Sequence, residues 1–109
     1  MKYLVSASGG PGFSSPDEAA DILEEEILPT FRAIMKLEKD GKILAGGLPV
    51  GERSFVFIAE AGSNDELDKM LRAIPAWGVF DWQVTPLQSF SGRAEIEKTF
   101  VQDVDKTRH

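Results

Sequence analysis

Two carboxylates interrupt runs that otherwise read as apolar strands. Glu60 closes Phe55-Val56-Phe57-Ile58-Ala59, and Asp81 stands between Phe80 and Trp82. A carboxylate held out of water can take a proton from a carbon beside a carbonyl and return it elsewhere, if a donor meets the enolate oxygen. Glu60 can do this only if it faces a cavity on the sheet surface away from the helices. The alternative is a strand end in water. Asp81 suits catalysis or, equally, the acceptance of hydrogen bonds from the turn after Trp77. Arg32 and Arg72 have the planar donor fork that grips a substrate carboxylate, though solvated helix arginines paired with nearby acids have the same look. Trp77, Trp82 and Phe57 can wall an apolar pocket or fill a core. Tyr3 can present a hydroxyl at the pocket or sit half-buried at a strand start.

Other chemistries are excluded or have little support. The chain has no cysteine, which removes disulfides, thiolate zinc sites and a thiol nucleophile. Its one histidine, His109, is the final residue, a poor base and a poor metal ligand, so no metal site is expected. Gly9-Gly10-Pro11-Gly12 follows a strand but lacks the Gly-Lys-Ser/Thr ending of a phosphate loop; a flexible pocket rim is the better reading. No cofactor is expected.

The elements that must position these residues come as one pattern repeated. An apolar strand is followed by a Ser-x-x-Glu helix start, a helix, and another strand. Residues 2 to 8 alternate, with Tyr3, Val5 and Ala7 on one face. Ser15 caps a helix with Pro16 at its first position and Glu18 completing a capping box. Leu23, Ile27, Phe31, Ile34 and Met35 then form one stripe, with a kink expected near Glu25–Glu26 because Pro29 has no N–H. Gly41 stops this helix, and Ile43 to Leu48 form a strand whose paired glycines mark a bulge or a close backbone approach. The second copy runs from Ser54 to Ala61, through a helix capped by Ser63 and ended by Pro75, to Phe80–Val84. The longer, kinked first helix and the aromatics of the second half predict an asymmetric pocket with its richer aromatic wall on the second side.

Two such halves in 109 residues predict one α+β domain over residues 1–90. It is a ferredoxin-like βαββαβ sandwich, an antiparallel four-stranded sheet with two helices on one face. Residues 91–109 form a tail with a short helix, since Ile96, Phe100 and Val104 recur at four-residue intervals. Two helices cover one sheet face only. The other is not clearly polar, so a homodimer or higher homo-oligomer through that face is expected, with the tail packing on a neighbouring subunit; a tail folded over the sheet of its own chain is the alternative. Net charge is −6, and Lys36, Lys39 and Lys42 are interleaved with Glu38 and Asp40, so no basic stripe is available for nucleic acid. No run approaches the ~20 apolar residues that span a bilayer, and no signal segment opens the chain, so a cytoplasmic protein without membrane partners is expected.

Some stretches also carry a family likeness: Lys39-Asp40-Gly41-Lys42-Ile43, Leu67 through Pro75, and above all Ile74-Pro75-Ala76-Trp77 with Asp81-Trp82-Gln83-Val84-Thr85-Pro86-Leu87. Over residues 1–90 the chain resembles muconolactone isomerase-like proteins of the dimeric α+β barrel superfamily. The resemblance implies a ferredoxin-like subunit, a sheet-to-sheet dimer and isomerisation of a lactone in aromatic catabolism. The expected activity is a cofactor-independent proton shift in a small hydrophobic carbonyl compound, with Glu60 and Asp81 as catalytic residues and Tyr3, Phe57, Arg32, Trp77 and Trp82 around the substrate. The competing readings are a barrel that binds a small apolar ligand without chemistry and a purely structural assembly domain.

Overall fold

The computed structural model describes residues 1–10 and 12–108. Pro11 of the glycine-rich loop and His109 lie outside the described residues. In chain order the elements are β1 (Lys2–Gly9), α1 (Pro16–Ile22), a π-helical stretch (Leu23–Ile27), α2 (Leu28–Lys39), β2 (Ile43–Gly47), β3 (Ser54–Glu60), α3 (Asn64–Arg72), a 3-10 turn (Trp77–Val79), β4 (Phe80–Leu87) and α4 (Phe90–Arg108). The strands form one antiparallel sheet in the order β2-β3-β1-β4. This is the ferredoxin-like α+β arrangement that the repeated pattern predicts.

Both repeats begin on a working cap. Ser15 Oγ accepts from the Glu18 N–H at 3.1 Å, and Ser63 Oγ accepts from the Glu66 N–H at 3.1 Å, satisfying donors that a helix start leaves orphaned. The reciprocal half of each box reaches one residue further back than expected. Glu66 Oε2 accepts from the Gly62 N–H at 2.8 Å, and Glu18 Oε2 accepts from the Ser14 N–H at 3.3 Å and from its hydroxyl.

The expected kink is a π-helical turn. The Leu28 N–H donates to Leu23 O, five residues back, which widens the helix just before Pro29, where a continued α-ladder would have lost a donor. Thr30 follows, fully buried, with its Oγ1 2.7 Å from Glu26 O and 2.6 Å from Pro75 O. One hydroxyl therefore ties the first helix to the turn after α3. Thr30→Val keeps the shape and deletes the donor; it should lower stability by about 1–3 kcal/mol, read as a shift in urea midpoint, with Thr30→Ser retaining most of it.

The core lies between the sheet and its helices. Tyr3, Val5, Ala7, Phe55, Phe57 and Ala59 alternate inward from β1 and β3 and meet Leu67, Leu71 and Ile74. Cross-strand register places Trp82 opposite Ala7 and Phe80 opposite Gly9, so both rings join the same layer. The opposite face of the sheet leaves Leu4 39% and Leu87 41% exposed, with Val56 and Ile58 half-buried. α4 runs for 19 residues, longer than the short tail helix expected, and buries none of them. The radius of gyration is 19.3 Å, against about 13 Å for a compact chain of this length, because α4 projects from the body. Among the described residues no helix is long and apolar enough to cross a membrane.

Candidate functional site

A hollow lies between the first helix and the aromatics of β3. The helical stripe that packs on the sheet holds Phe31 and Ile34 against β3, and β2 leaves room beside them because Gly46 and Gly47 have no side chains. The result is a hollow of about 430 Å³, walled by Leu28, Phe31, Met35, Leu48, Phe55 and Phe57. Its size is that of a site for a small ligand. Two charged side chains meet this apolar space, Arg32 and Glu38, both from α2. Neither has an ion pair among the described residues.

A second hollow of about 280 Å³ shares Phe31, Leu48 and Phe55 as walls and extends toward the loop after β1. Arg53 stands there with its guanidinium 5.4 Å from the Phe13 ring centroid and Nη2 donating to Gly10 O at 3.4 Å. Glu52 and the Thr30 side chain also line it. A third, shallower hollow of about 320 Å³ opens between α3 and β4 and includes Tyr3 and Asn64.

The residues singled out by sequence divide among these places. Arg32 and Phe57 line the main hollow. Tyr3 is buried rather than half-buried, and its hydroxyl donates to Asn64 Oδ1 at 2.7 Å in the third hollow. Trp82 lines none of these three hollows: its ring meets Phe55 and Phe80 edge-on, at 5.6 and 6.2 Å, and its indole N–H donates to Trp77 O at 2.9 Å. Trp77 lies under Arg72, whose guanidinium is 4.4 Å from its ring and also holds Asp68 at 2.9 Å. That is the solvated, paired arginine of the plainer reading. An asymmetric pocket is present along the first helix, and two of its three aromatic walls, Phe55 and Phe57 of β3, come from the second half, with Phe31 from the first; Trp77 and Trp82 are not among them.

Glu60 and Asp81 line none of the three hollows. Alternation sends both to the sheet face opposite the helices, because their neighbours Ala59, Phe80 and Trp82 point inward. Asp81 is exposed there. Glu60 Oε1 accepts from the Met1 ammonium at 3.2 Å, whereas its Oε2 is buried without a hydrogen-bond partner among the described residues. The side chain as a whole is 44% exposed, so one oxygen faces water and the other faces protein.

Glu38 reads in the sequence as part of a solvated helix end, and the structure brings it to the wall of the main hollow. The stripe Phe31, Ile34, Met35 continues by three or four residues to position 38, where a glutamate replaces the expected apolar side chain. Phe31, Phe55 and the two glycines read only as core and bulge, since their cavity depends on how far α2 stands off β2. Among the described residues no group of three or more metal-binding side chains comes together.

The family model described as muconolactone delta-isomerase matches residues 1–92. Among solved structures, a crystal structure of muconolactone isomerase at 3.3 Å resolution aligns with a TM-score of 0.67 at 17% identity, covering 82% of this chain and 90% of that one. The 5-chloro-2-hydroxyhydroquinone dehydrochlorinase from Burkholderia phenoliruptrix, in complex with 2,5-dihydroxybenzoquinone, aligns with a TM-score of 0.60 at 22% identity, covering 84% of this chain and 97% of that one. No curated protein sequence matches the chain. At such identities the two structures speak for the fold.

Proposed function

The chain belongs to the muconolactone delta-isomerase family, and from that premise we propose that it catalyses a cofactor-independent proton shift in a small lactone or related cyclic carbonyl compound, in the cytoplasm. The observation that carries this reading is the apolar hollow of about 430 Å³ with one arginine and one glutamate at its wall. An apolar cavity accepts the ring, and Arg32 offers a bidentate grip on a carboxylate or enolate oxygen. Glu38 is the carboxylate within the same space that can take the proton beside the carbonyl and return it elsewhere on the ring. The two structural neighbours carry names for an isomerase and a dehydrochlorinase. Both reactions are open to a base that removes a proton from an activated ring: reprotonation completes the first, and loss of chloride completes the second.

A second reading puts the chemistry on the outer sheet face, at Glu60 and Asp81. The buried, unpartnered Oε2 of Glu60 favours it, as does the apolar surface around it, which a homodimer or larger homo-oligomer through that face would close into a barrel. Turnover of muconolactone by the purified protein separates the readings. With the base at Glu38, Glu38→Gln lowers kcat by about 10²–10⁴, while Glu60→Gln and Asp81→Asn keep activity. The reverse pattern moves the base to the outer face. Stoichiometric ligand binding without turnover by the wild-type protein supports the non-catalytic binding barrel instead.

A further inference from the structure

The second hollow takes no part in the proton shift, yet it continues the space in which that shift would occur. Phe31, Leu48 and Phe55 wall both hollows. Along the first helix, the main hollow draws its walls from Leu28 to Glu38 and the second from Leu23 to Phe31. At 1.5 Å per residue, the stretch from Leu23 to Glu38 is roughly 22 Å of helix. The two hollows therefore form one long trough, joined at the three shared side chains.

A cavity of about 150 Å³ already holds a six-carbon ring. The main hollow, at about 430 Å³, has that room and more, and a further 280 Å³ lies beyond the junction. A small ring held beside Arg32 and Glu38 leaves this far part empty. Its walls are mostly apolar: Leu23, Ile27 and Phe80 join the three shared side chains, and Phe13 stands on the loop side. Thr30 also lines it, but its hydroxyl is committed to Glu26 O and Pro75 O. The remaining polar side chains gather at the start of β3, where Glu52 Oε2 accepts from Ser54 Oγ at 3.3 Å and the Arg53 guanidinium lies over Phe13. Phe13 is 46% exposed and Leu23 42%. Apolar walls around unfilled space forfeit contacts that a chain laid between them restores.

We propose that the substrate is a cyclic carbonyl compound with a long apolar side chain, its ring beside Arg32 and Glu38 and its side chain laid through the junction into the second hollow. This substrate class presupposes the proton-shift reading of the main hollow. On the scale of one six-carbon ring per 150 Å³, the second hollow takes a side chain of roughly six to ten carbons. That chain is uncharged along its length, because Leu23, Ile27 and Phe31 offer a buried charge no partner. Its tip emerges beside Ser54 and the exposed Arg53. Remote binding of this kind also holds the ring in place against the base, so that contacts far from the reacting carbon serve the reaction.

The test titrates γ-lactones bearing ethyl, butyl and hexyl side chains into the purified full-length protein by calorimetry. Each methylene buried in the second hollow should tighten binding about two- to fourfold, so the hexyl lactone is expected to bind at least tenfold more tightly than the ethyl one. Leu23→Trp fills the second hollow from an exposed position. It should bring the hexyl and ethyl compounds to within about threefold of each other while leaving the affinity for the ethyl compound unchanged. Phe13→Ala removes a wall of the same space from an exposed loop position and should also cut the preference several-fold; circular dichroism checks that both variants fold. A wild-type preference below about threefold, or no binding of any lactone in the series, overturns the proposal. So does a preference that survives both substitutions, which would place the side chain outside the second hollow. Turnover is not read. A protein that binds the series in this way but does not isomerise muconolactone loses the proton shift and keeps the side-chain site, whereas a flat series removes that site and leaves the test of Glu38 as it stands.

Discussion

Phe55→Ala is expected to lower the unfolding free energy by about 3–5 kcal/mol, the range for deleting a buried aromatic ring. Phe55 is 6% exposed and touches every part of the aromatic layer: stacked 6.2 Å from Phe57, edge-on at 5.3 Å from Phe80 and at 5.6 Å from Trp82. It is also a wall shared by the two hollows that run along the first helix. Because empty space already lies on both sides of the ring, neighbours have little to collapse onto, which holds the cost toward the upper end. A domain of this size has roughly 5–15 kcal/mol in total, so a fifth or more of the stability rests on one side chain. The urea midpoint should fall with the slope unchanged. Phe55→Leu, which refills most of the volume, should recover at least half of the loss. A loss below about 1 kcal/mol would mean that the layer repacks freely and that the hollows have no rigid wall.

The repeated strand–helix–strand pattern was readable because each of its signals is local. Ser15 and Ser63 cap through bonds to residues three positions on, and the alternation of Tyr3, Val5 and Ala7 is a property of one strand. The consequence of Pro29 was readable in place but not in kind. A missing N–H predicts a break in the ladder but not its form; the break is a π-helical turn, and next to it Thr30 meets Pro75 O, a contact 45 residues away. The strand β4 runs to Leu87, past the expected end at Val84, because as an edge strand it tolerates Pro86.

The candidate site was less legible because a cavity is a gap between elements and no residue type encodes a gap. Glu60 and Asp81 stand out in sequence as polar breaks in apolar strands, yet alternation alone sends them to the face away from the helices. Arg32 and Glu38 stand out far less, since a charged residue on a helix is ordinary until β2 is seen to leave space beside it. Phe57 was assigned to a pocket or to the core, and it serves both, because the pocket is an unfilled part of the core.

That space is set by one glycine, and Gly46→Val should show it. A Cβ at Gly46 would stand 2.5 Å from Val56 O and 2.6 Å from Phe57 Cβ, distances no packed carbon tolerates, and the first of these atoms is backbone that cannot rotate away. β2 would have to move off β3, losing ladder bonds next to an existing register shift between Ile43 and Ala45. A cost of about 3 kcal/mol or more is expected. Gly47 is its neighbour on the same strand and on the same hollow, but a Cβ there meets nothing within 4 Å. Gly47→Val should therefore be neutral or should stabilise by up to about 1 kcal/mol, through β-propensity and reduced chain entropy in the unfolded state. Opposite signs at adjacent glycines, read from thermal unfolding of the two variants, would establish that the hollow exists because β2 and β3 are pressed together at Gly46. Equal effects would mean that β2 slides freely. In the folded fraction, ligand affinity should fall for Gly46→Val as the displaced strand alters the wall facing Arg32 and Glu38.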